Sequence, residues 1–301
     1  MMPFSQQPAI TRQVFLYAPP VREKDRTMRI RDIPQLADQT KPPSAFAAII
    51  AARGISQDFL GDNGKRLSAL HDVTLAVVAG EFVSLIGPSG SGKSTLLNIF
   101  AGLDAPTHGE IMLDGRPTTT RQRLGQIGLM PQRDLLLPWR TALGNAIAGL
   151  EVRGVPGRVA REQARVLFTR FGLAAFEDAY PYALSGGMRQ RVALVRSALA
   201  AGPVLLLDEP FGALDALTRA GLHGWLIEAW AALGKTIILV THDVNEALIL
   251  SDRVIVLSAH PGTVKGEIPV DLPRPRDAAV QANPAFGALR QSVMGMLEAQ
   301  S

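Results

Sequence analysis

Gly87-Pro88-Ser89-Gly90-Ser91-Gly92-Lys93-Ser94-Thr95 gathers glycines, hydroxyls and a lysine in one short segment of a 301-residue chain. Such glycines let a loop turn its backbone N–H groups onto phosphate oxygens, and a following helix adds the positive end of its dipole. Lys93 then supplies a point charge for the β- and γ-phosphates, and Ser94 a hydroxyl for magnesium. A plain surface turn is the alternative, but this segment stands at an expected strand–helix junction. Farther along, Val204-Leu205-Leu206-Leu207 runs into Asp208-Glu209. Four apolar residues mark a buried strand, and its C-terminal end projects two carboxylates. Asp208 suits magnesium, through water, as in other enzymes with this loop. Glu209 is placed to orient or deprotonate an attacking water. Together these groups suit triphosphate hydrolysis; two solvated, idle acids at a strand end are the alternative for Asp208 and Glu209.

The elements that must position these residues are legible as texture. Phe82-Val83-Ser84-Leu85-Ile86 reads as a buried strand feeding the loop, and residues 93–100 as a helix that Gly102 can end. Residues 110–113 read as a strand with Asp114-Gly115 as its turn, and Gly128-Leu129-Met130 as another strand before Pro131-Gln132. Between residues 158 and 171, Ala160, Ala164, Leu167, Phe168 and Phe171 recur at helical spacing. The continuous apolar runs 204–207 and 236–240 suit parallel strands covered on both faces. Leu184-Ser185-Gly186-Gly187-Met188-Arg189-Gln190 precedes a helix running to about residue 200. It offers free N–H groups at a helix N-terminus, or simply a glycine turn that caps the helix. Past Leu272, Pro273-Arg274-Pro275-Arg276 leads into an expected helical tail of about 25 residues, covering 273–301. No internal repeat is evident, so the chain carries one nucleotide site.

The order of these motifs resembles the ATP-binding subunits of ABC transporters over roughly residues 46–272. The resemblance implies an α/β P-loop NTPase of ABC type with three parts. These are a mostly parallel core sheet, an antiparallel β subdomain, and a helical subdomain near 133–200 that carries the signature motif. It implies ATP and Mg2+ at the site. Gln132 would contact magnesium and the lytic water, His242 would reach the γ-phosphate, and Asp215 would lie at a dimer seam. Ser185, Gly186, Gly187 and Met188 would face ATP bound to a second copy. Two chains would then make a closed, isologous, head-to-tail homodimer. Phe59 is the best-placed aromatic for stacking on adenine, with a plain core phenylalanine as the alternative. The family commonly uses tyrosine there, and Gly61-Asp62-Asn63-Gly64 looks inserted. Met188 at the fifth signature position and Gly212 before Ala213-Leu214-Asp215 are slight departures.

Two further stretches resemble the nitrate/sulfonate/taurine class of bacterial importers. One is Leu135-Leu136-Leu137-Pro138-Trp139, leading into a helix with Asn145. The other is Leu257-Ser258-Ala259-His260-Pro261-Gly262, followed by Ile268-Pro269-Val270 and the Pro-Arg-Pro-Arg segment. The resemblance implies two transmembrane permease subunits as partners, a periplasmic or lipid-anchored solute-binding protein reached through them, and a peripheral place on the cytoplasmic face of the membrane. In such a subunit Trp139 belongs to a groove that receives a permease helix; an ordinary loop with a buried tryptophan is the other reading.

Composition agrees. Apolar residues make up 47% of the chain, ample for a core, and there is no cysteine for disulfides, thiolate zinc or nucleophilic catalysis. No apolar run approaches the roughly 18 residues that span a bilayer. Of the net charge of +4, residues 1–41 supply most, with seven basic against four acidic side chains. The high pI therefore does not mark a nucleic-acid-binding face on the folded part. Residues 1–44, rich in Pro, Arg and Gln, read as a disordered extension, a solvated tail or an arm touching anionic lipid. The rival function is a non-transport ABC ATPase acting on DNA or ribosomes. Its members carry coiled-coil insertions, zinc cysteines or paired ATPase domains, and this sequence has none of them.

Overall fold

The computed structural model describes residues 48–60, 64–212, 214, 216–276 and 278–299. The expectations for residues 1–44 and for Asp215 lie outside these. β1 (Ala48–Leu60) and β2 (Arg66–Val78) form a long antiparallel hairpin, and β3 (Phe82–Ile86) leads to α1 (Lys93–Ala101). β4 (His108–Leu113) meets β5 (Arg116–Thr118) through Asp114 and Gly115, whose φ angles of 46° and 72° give the hairpin its tight turn. There follow α2 (Thr120–Arg123), β6 (Ile127–Met130), α3 (Ala142–Ala146), α4 (Ala148–Val152), α5 (Gly157–Arg170) and α6 (Gly186–Ala200). The chain then alternates through β7 (Val204–Asp208), α7 (Ala216–Leu233), β8 (Thr236–Val240), α8 (Val244–Leu250) and β9 (Arg253–Leu257). β10 (Val264–Pro269) and α9 (Pro284–Glu298) complete it.

Among the described residues the strands make two sheets. One has six strands in the order β10-β9-β3-β8-β7-β6, parallel except where β10 meets β9; the other is antiparallel, β2-β1-β4-β5. The apolar runs of β3 and β8 are buried at every position, as parallel strands covered on both faces must be. Successive side chains go to opposite layers. Leu205, Leu207, Ile237 and Leu239 pack with the helices, around Phe168 and Val192. Leu206, Ile238 and Val240 pack with α1 and the antiparallel sheet, around Phe100 and Ile50. Each such leucine contributes about 1.5–3 kcal/mol by burial, so a one-residue slip of any central strand is excluded. The α5 spacing holds: Ala160, Ala164, Leu167 and Phe168 are its buried face.

The C-terminal helix departs from expectation. A 3-10 turn, Ala278–Ala282, precedes α9, which has 15 residues rather than about 25. Nor is it peripheral, because Phe286 and Val293 are fully buried in the helical-side core. The Pro-Arg-Pro-Arg segment anchors this arrangement. Arg276 is buried and donates to the carbonyls of Leu248, Ser251, Val270 and Leu272. It thereby satisfies the carbonyl end of α8, where a cation is favoured. Burial, with Arg274 adding to it, pushes the guanidinium down to about 10, so it stays charged at neutral pH. Arg274 pairs with Asp252 at 2.7 Å and lies 4.7 Å over the Trp230 ring.

Candidate active site

The C-terminal ends of four adjacent parallel strands, in the order β3-β8-β7-β6, bring the expected groups to one edge. From β3 the chain enters the glycine loop, and Gly92 starts α1 as its N-cap with φ 80°. A Cβ on Gly92 would stand 2.5 Å from Leu70 Cδ2 and 2.7 Å from the Ala69 carbonyl. Gly262 approaches the loop as closely, since its Cβ would collide with the Ser91 carbonyl. The 257–262 motif therefore serves as a backbone wall behind the loop, joined to β2 by His71 N donating to Gly262 O and Gly262 N to Ala69 O. Gly87 and Ser91 are buried, Pro88, Gly92 and Thr95 half-buried, and Ser89, Gly90 and Ser94 exposed. Lys93 Nζ donates to Gly87 O (2.9 Å), Pro88 O (2.8 Å) and Ser91 Oγ (3.2 Å). Burial lowers its pKa, against the pull of Glu209 and Asp208. An ammonium already desolvated at the loop is prepared for phosphate.

Asp208 ends β7, and its carboxyl is raised chiefly by burial, with the Ser94 side chain beside it acting the other way. Glu209 follows with φ 44°, a left-handed conformation that costs a non-glycine residue about 1–2 kcal/mol. Two backbone bonds hold it there: Glu209 N donates to Val240 O, and Gly212 N donates to Glu209 O. Its carboxylate is met from two other loops. Gln132 Nε2 donates to Glu209 Oε2 at 3.1 Å, and His242 Nδ1 lies 3.3 Å from Glu209 Oε1. Strands β6, β7 and β8 thus each contribute one arm of a triad around a single carboxylate.

Mg2+ fits the donor set. Ser94 and Asp208 offer hard oxygen ligands, and a half-buried carboxylate whose pKa burial raises is one that a bound cation would stabilise. Among the described residues no cluster of three His, Cys, Asp or Glu could cage a metal. Magnesium typically takes one or two protein oxygens and completes its shell with phosphate and water.

Ser185 caps α6: its Oγ accepts from Met188 N at 3.3 Å, and the residue is exposed. Gly186 and Met188 are half-buried and Gly187 is buried. Among the described residues no hydrogen bond joins this cap to the phosphate loop of its own chain; its neighbour is Leu214, 3.4 Å from where a Gly186 Cβ would stand. Phe59 pairs with Leu67 at the end of the β1–β2 hairpin where the two strands connect. It is 41% exposed, so it is not a core side chain.

The sequence of residues 70–212 matches the family model described as ABC transporter. An uncharacterized ABC transporter ATP-binding protein of Methanocaldococcus jannaschii is 45% identical over 240 residues, 78% of this chain and 86% of that protein. The chain belongs to this family. It is also 40% identical over 250 residues to the taurine import ATP-binding protein of Pseudomonas aeruginosa, covering 81% of this chain and 94% of that one. Among solved structures, a dimeric post-hydrolysis ATP-binding cassette bound to ADP and phosphate superposes with a TM-score of 0.64 at 34% identity, over 74% of this chain and 99% of that chain. As an ABC transporter ATP-binding subunit the protein is an ATPase coupled to transport. No helix among the described residues is long and apolar enough to cross a membrane.

Within the ABC subunit, some working residues escaped the sequence reading. Asp134, two positions after Gln132, pairs with Arg189 at 3.1 Å, and Arg196 donates to the carbonyls of Asp134 and Leu135. The Gln132 loop is thereby fastened to the signature helix α6. The only signal was a row of arginines on a mostly buried helix, which does not name a partner 55 residues away. Asn145 is fully buried; it accepts from Leu137 N and donates to the carbonyls of Leu137, Arg140 and Thr141. It folds the preceding loop so that Trp139 stands 72% exposed, which removes the buried-tryptophan reading. Leu136, by contrast, belongs to the core and adds nothing to the surface.

Proposed function

We propose that this chain energises a bacterial importer of nitrate, sulfonate, taurine or a similar small solute through ATP-driven pairing of two copies. One observation carries the catalytic part: a single carboxylate, Glu209, is held by Gln132 and His242 where the phosphate loop opens. In this reading residues 87–95 hold the triphosphate, with Lys93 on its β- and γ-oxygens and Phe59 under the adenine. Ser94, Asp208 and Gln132 hold Mg2+, which would neutralise developing charge on the phosphates. Glu209 orients the attacking water and takes its proton, Gln132 fixes the same water, and His242 contacts the γ-phosphate. The exposed cap at Ser185, with the N–H groups of Gly186 and Gly187 at the start of α6, faces the partner's ATP, and Asp215 lies along the seam. The dimeric state of the ADP- and phosphate-bound neighbour supports this pairing.

The ATPase domain would span residues 45–272, with the helical subdomain at about 133–200, residues 273–301 as a C-terminal extension, and 1–44 as an N-terminal one outside the catalytic unit. The partners are two permease subunits, and through them a solute-binding protein; the chain sits peripherally on the cytoplasmic face. The taurine import relative supports the importer class. No observation favours action on nucleic acid or ribosomes.

Trp139 provides the test of coupling. Its exposed ring, with the exposed Pro138 and Leu135, forms an apolar knob that catalysis does not use. A central aromatic anchor typically costs about 2 kcal/mol or more on truncation, which is roughly thirtyfold in affinity. Trp139→Ala is therefore expected to weaken assembly with the permease subunits and to impair uptake. ATP affinity and melting temperature of the isolated subunit should hold. Full uptake and unchanged assembly in this variant would remove Trp139 from the coupling surface.

A further inference from the structure

The loop that follows Glu209 and the loop that carries His242 are joined by two polar side chains of α7, Arg219 and His223. Arg219 Nη2 donates to Leu214 O at 3.0 Å, in the loop that leads to Asp215. The same guanidinium places Nη1 3.6 Å from Asp243 Oδ2. Asp243 directly follows His242 and caps α8, accepting from Asn245 N and Glu246 N. One turn farther along α7, His223 Nε2 lies 2.8 Å from Glu246 Oε1, with both side chains almost wholly buried. The His223 ring stands edge-on to Phe211, at 5.4 Å, in the loop that follows Glu209. Arg219 and His223 thus grip the first turn of α8 at two points and the 211–214 loop at two more.

His242 has little else to fix it. Its side chain is 62% exposed, so packing does not set the ring, and its position depends on the backbone it shares with Asp243. We propose that Arg219 is a positioning residue for His242, which links the 211–214 loop to the histidine so that the ring meets Glu209 only when that loop is seated. This rests on the catalytic reading above, in which His242 contacts the γ-phosphate and the loop runs to the dimer seam. Arg219 itself touches neither. A shift of the loop carries Leu214 O, the guanidinium follows, and Asp243 moves with it. Pairing of two copies at the seam would then align His242 without any contact between the seam and the phosphate.

The experiment is a double-mutant cycle on steady-state ATP hydrolysis by the full chain, comparing Arg219→Ala, His242→Ala and the double variant. A displaced catalytic group costs about tenfold to a hundredfold, so Arg219→Ala is expected to lower kcat by about that much with KM nearly unchanged. In the His242→Ala background the same change should cost less than about twofold, because residues acting through one another are not additive. Asp243→Asn keeps the cap and loses the charge, and should behave as Arg219→Ala does even if the latter folds poorly; Arg219→Lys should recover part of the rate. Equal losses from Arg219→Ala in both backgrounds would overturn the link and leave the catalytic reading standing. Normal turnover in His242→Ala would overturn both.

Discussion

Glu209→Gln is expected to slow ATP turnover by about two to four orders of magnitude, the usual worth of a positioned base. Glutamine is nearly isosteric and can keep the contacts to Gln132 and His242, at 3.1 and 3.3 Å in the native chain, so the loop geometry survives. Binding should also survive, because the phosphate loop, Lys93 and Ser94 are untouched. Only the proton acceptor is lost. ATP that binds without being cleaved should hold two copies together, and the variant should elute as a dimer in ATP and as a monomer without it. Hydrolysis at a near-native rate would take Glu209 out of the mechanism, whatever the oligomeric state.

Gly92→Ala is expected to abolish ATP binding by a different route. Its φ of 80° costs an alanine about 1–2 kcal/mol, and its Cβ would press on the Ala69 carbonyl at 2.7 Å. Backbone cannot step aside there, because Ala69 O is already engaged by Gly262 N at 3.0 Å. Relief must come from the start of α1, which carries Lys93 and Ser94. Gly90 makes the control. It has the same φ of 80° but nothing within 4 Å of a Cβ, so Gly90→Ala bears the conformational cost alone. Titration with a fluorescent ATP analogue should show affinity lost by more than about a hundredfold for Gly92→Ala, beyond the roughly tenfold of one strained residue. Equal affinities in the two variants would show that contact with Ala69 and Leu70 does not shape the loop.

These two residues also mark what a sequence can disclose. The loop glycines, Lys93, the Asp208-Glu209 pair and the Ser185 cap were legible because each is a local pattern whose chemistry is complete within a few positions. The central strands were legible because burial on both faces leaves an uninterrupted apolar run. What escaped was pairing across the chain. Arg276 reads as one more basic residue after a proline, yet its carbonyl partners lie up to 28 residues away, and it ties α8 to the segment entering α9. The expectation of a helical tail after residue 273 cannot say that Phe286 and Val293 are core. Within 135–139, all apolar, nothing in residue type separates Leu136, which is buried, from Trp139, which stands in solvent; Asn145 decides that from the next helix. Arg219 joins two loops whose relation exists only once β7 and β8 lie side by side.

The central claim is that one ATP is held between the phosphate loop of one copy and the signature cap of another. Ser89 and Ser185 are both exposed, and the chain has no cysteine of its own, so Ser89→Cys and Ser185→Cys introduce the only thiols. In the Glu209→Gln background the doubly substituted chain should form a bond between copies, seen as a dimer on a non-reducing gel, when ATP and Mg2+ are present and not when they are withheld. Either single-cysteine variant alone should give none. Bonds formed only within one chain, or bonds between copies that ignore ATP, would contradict the shared site.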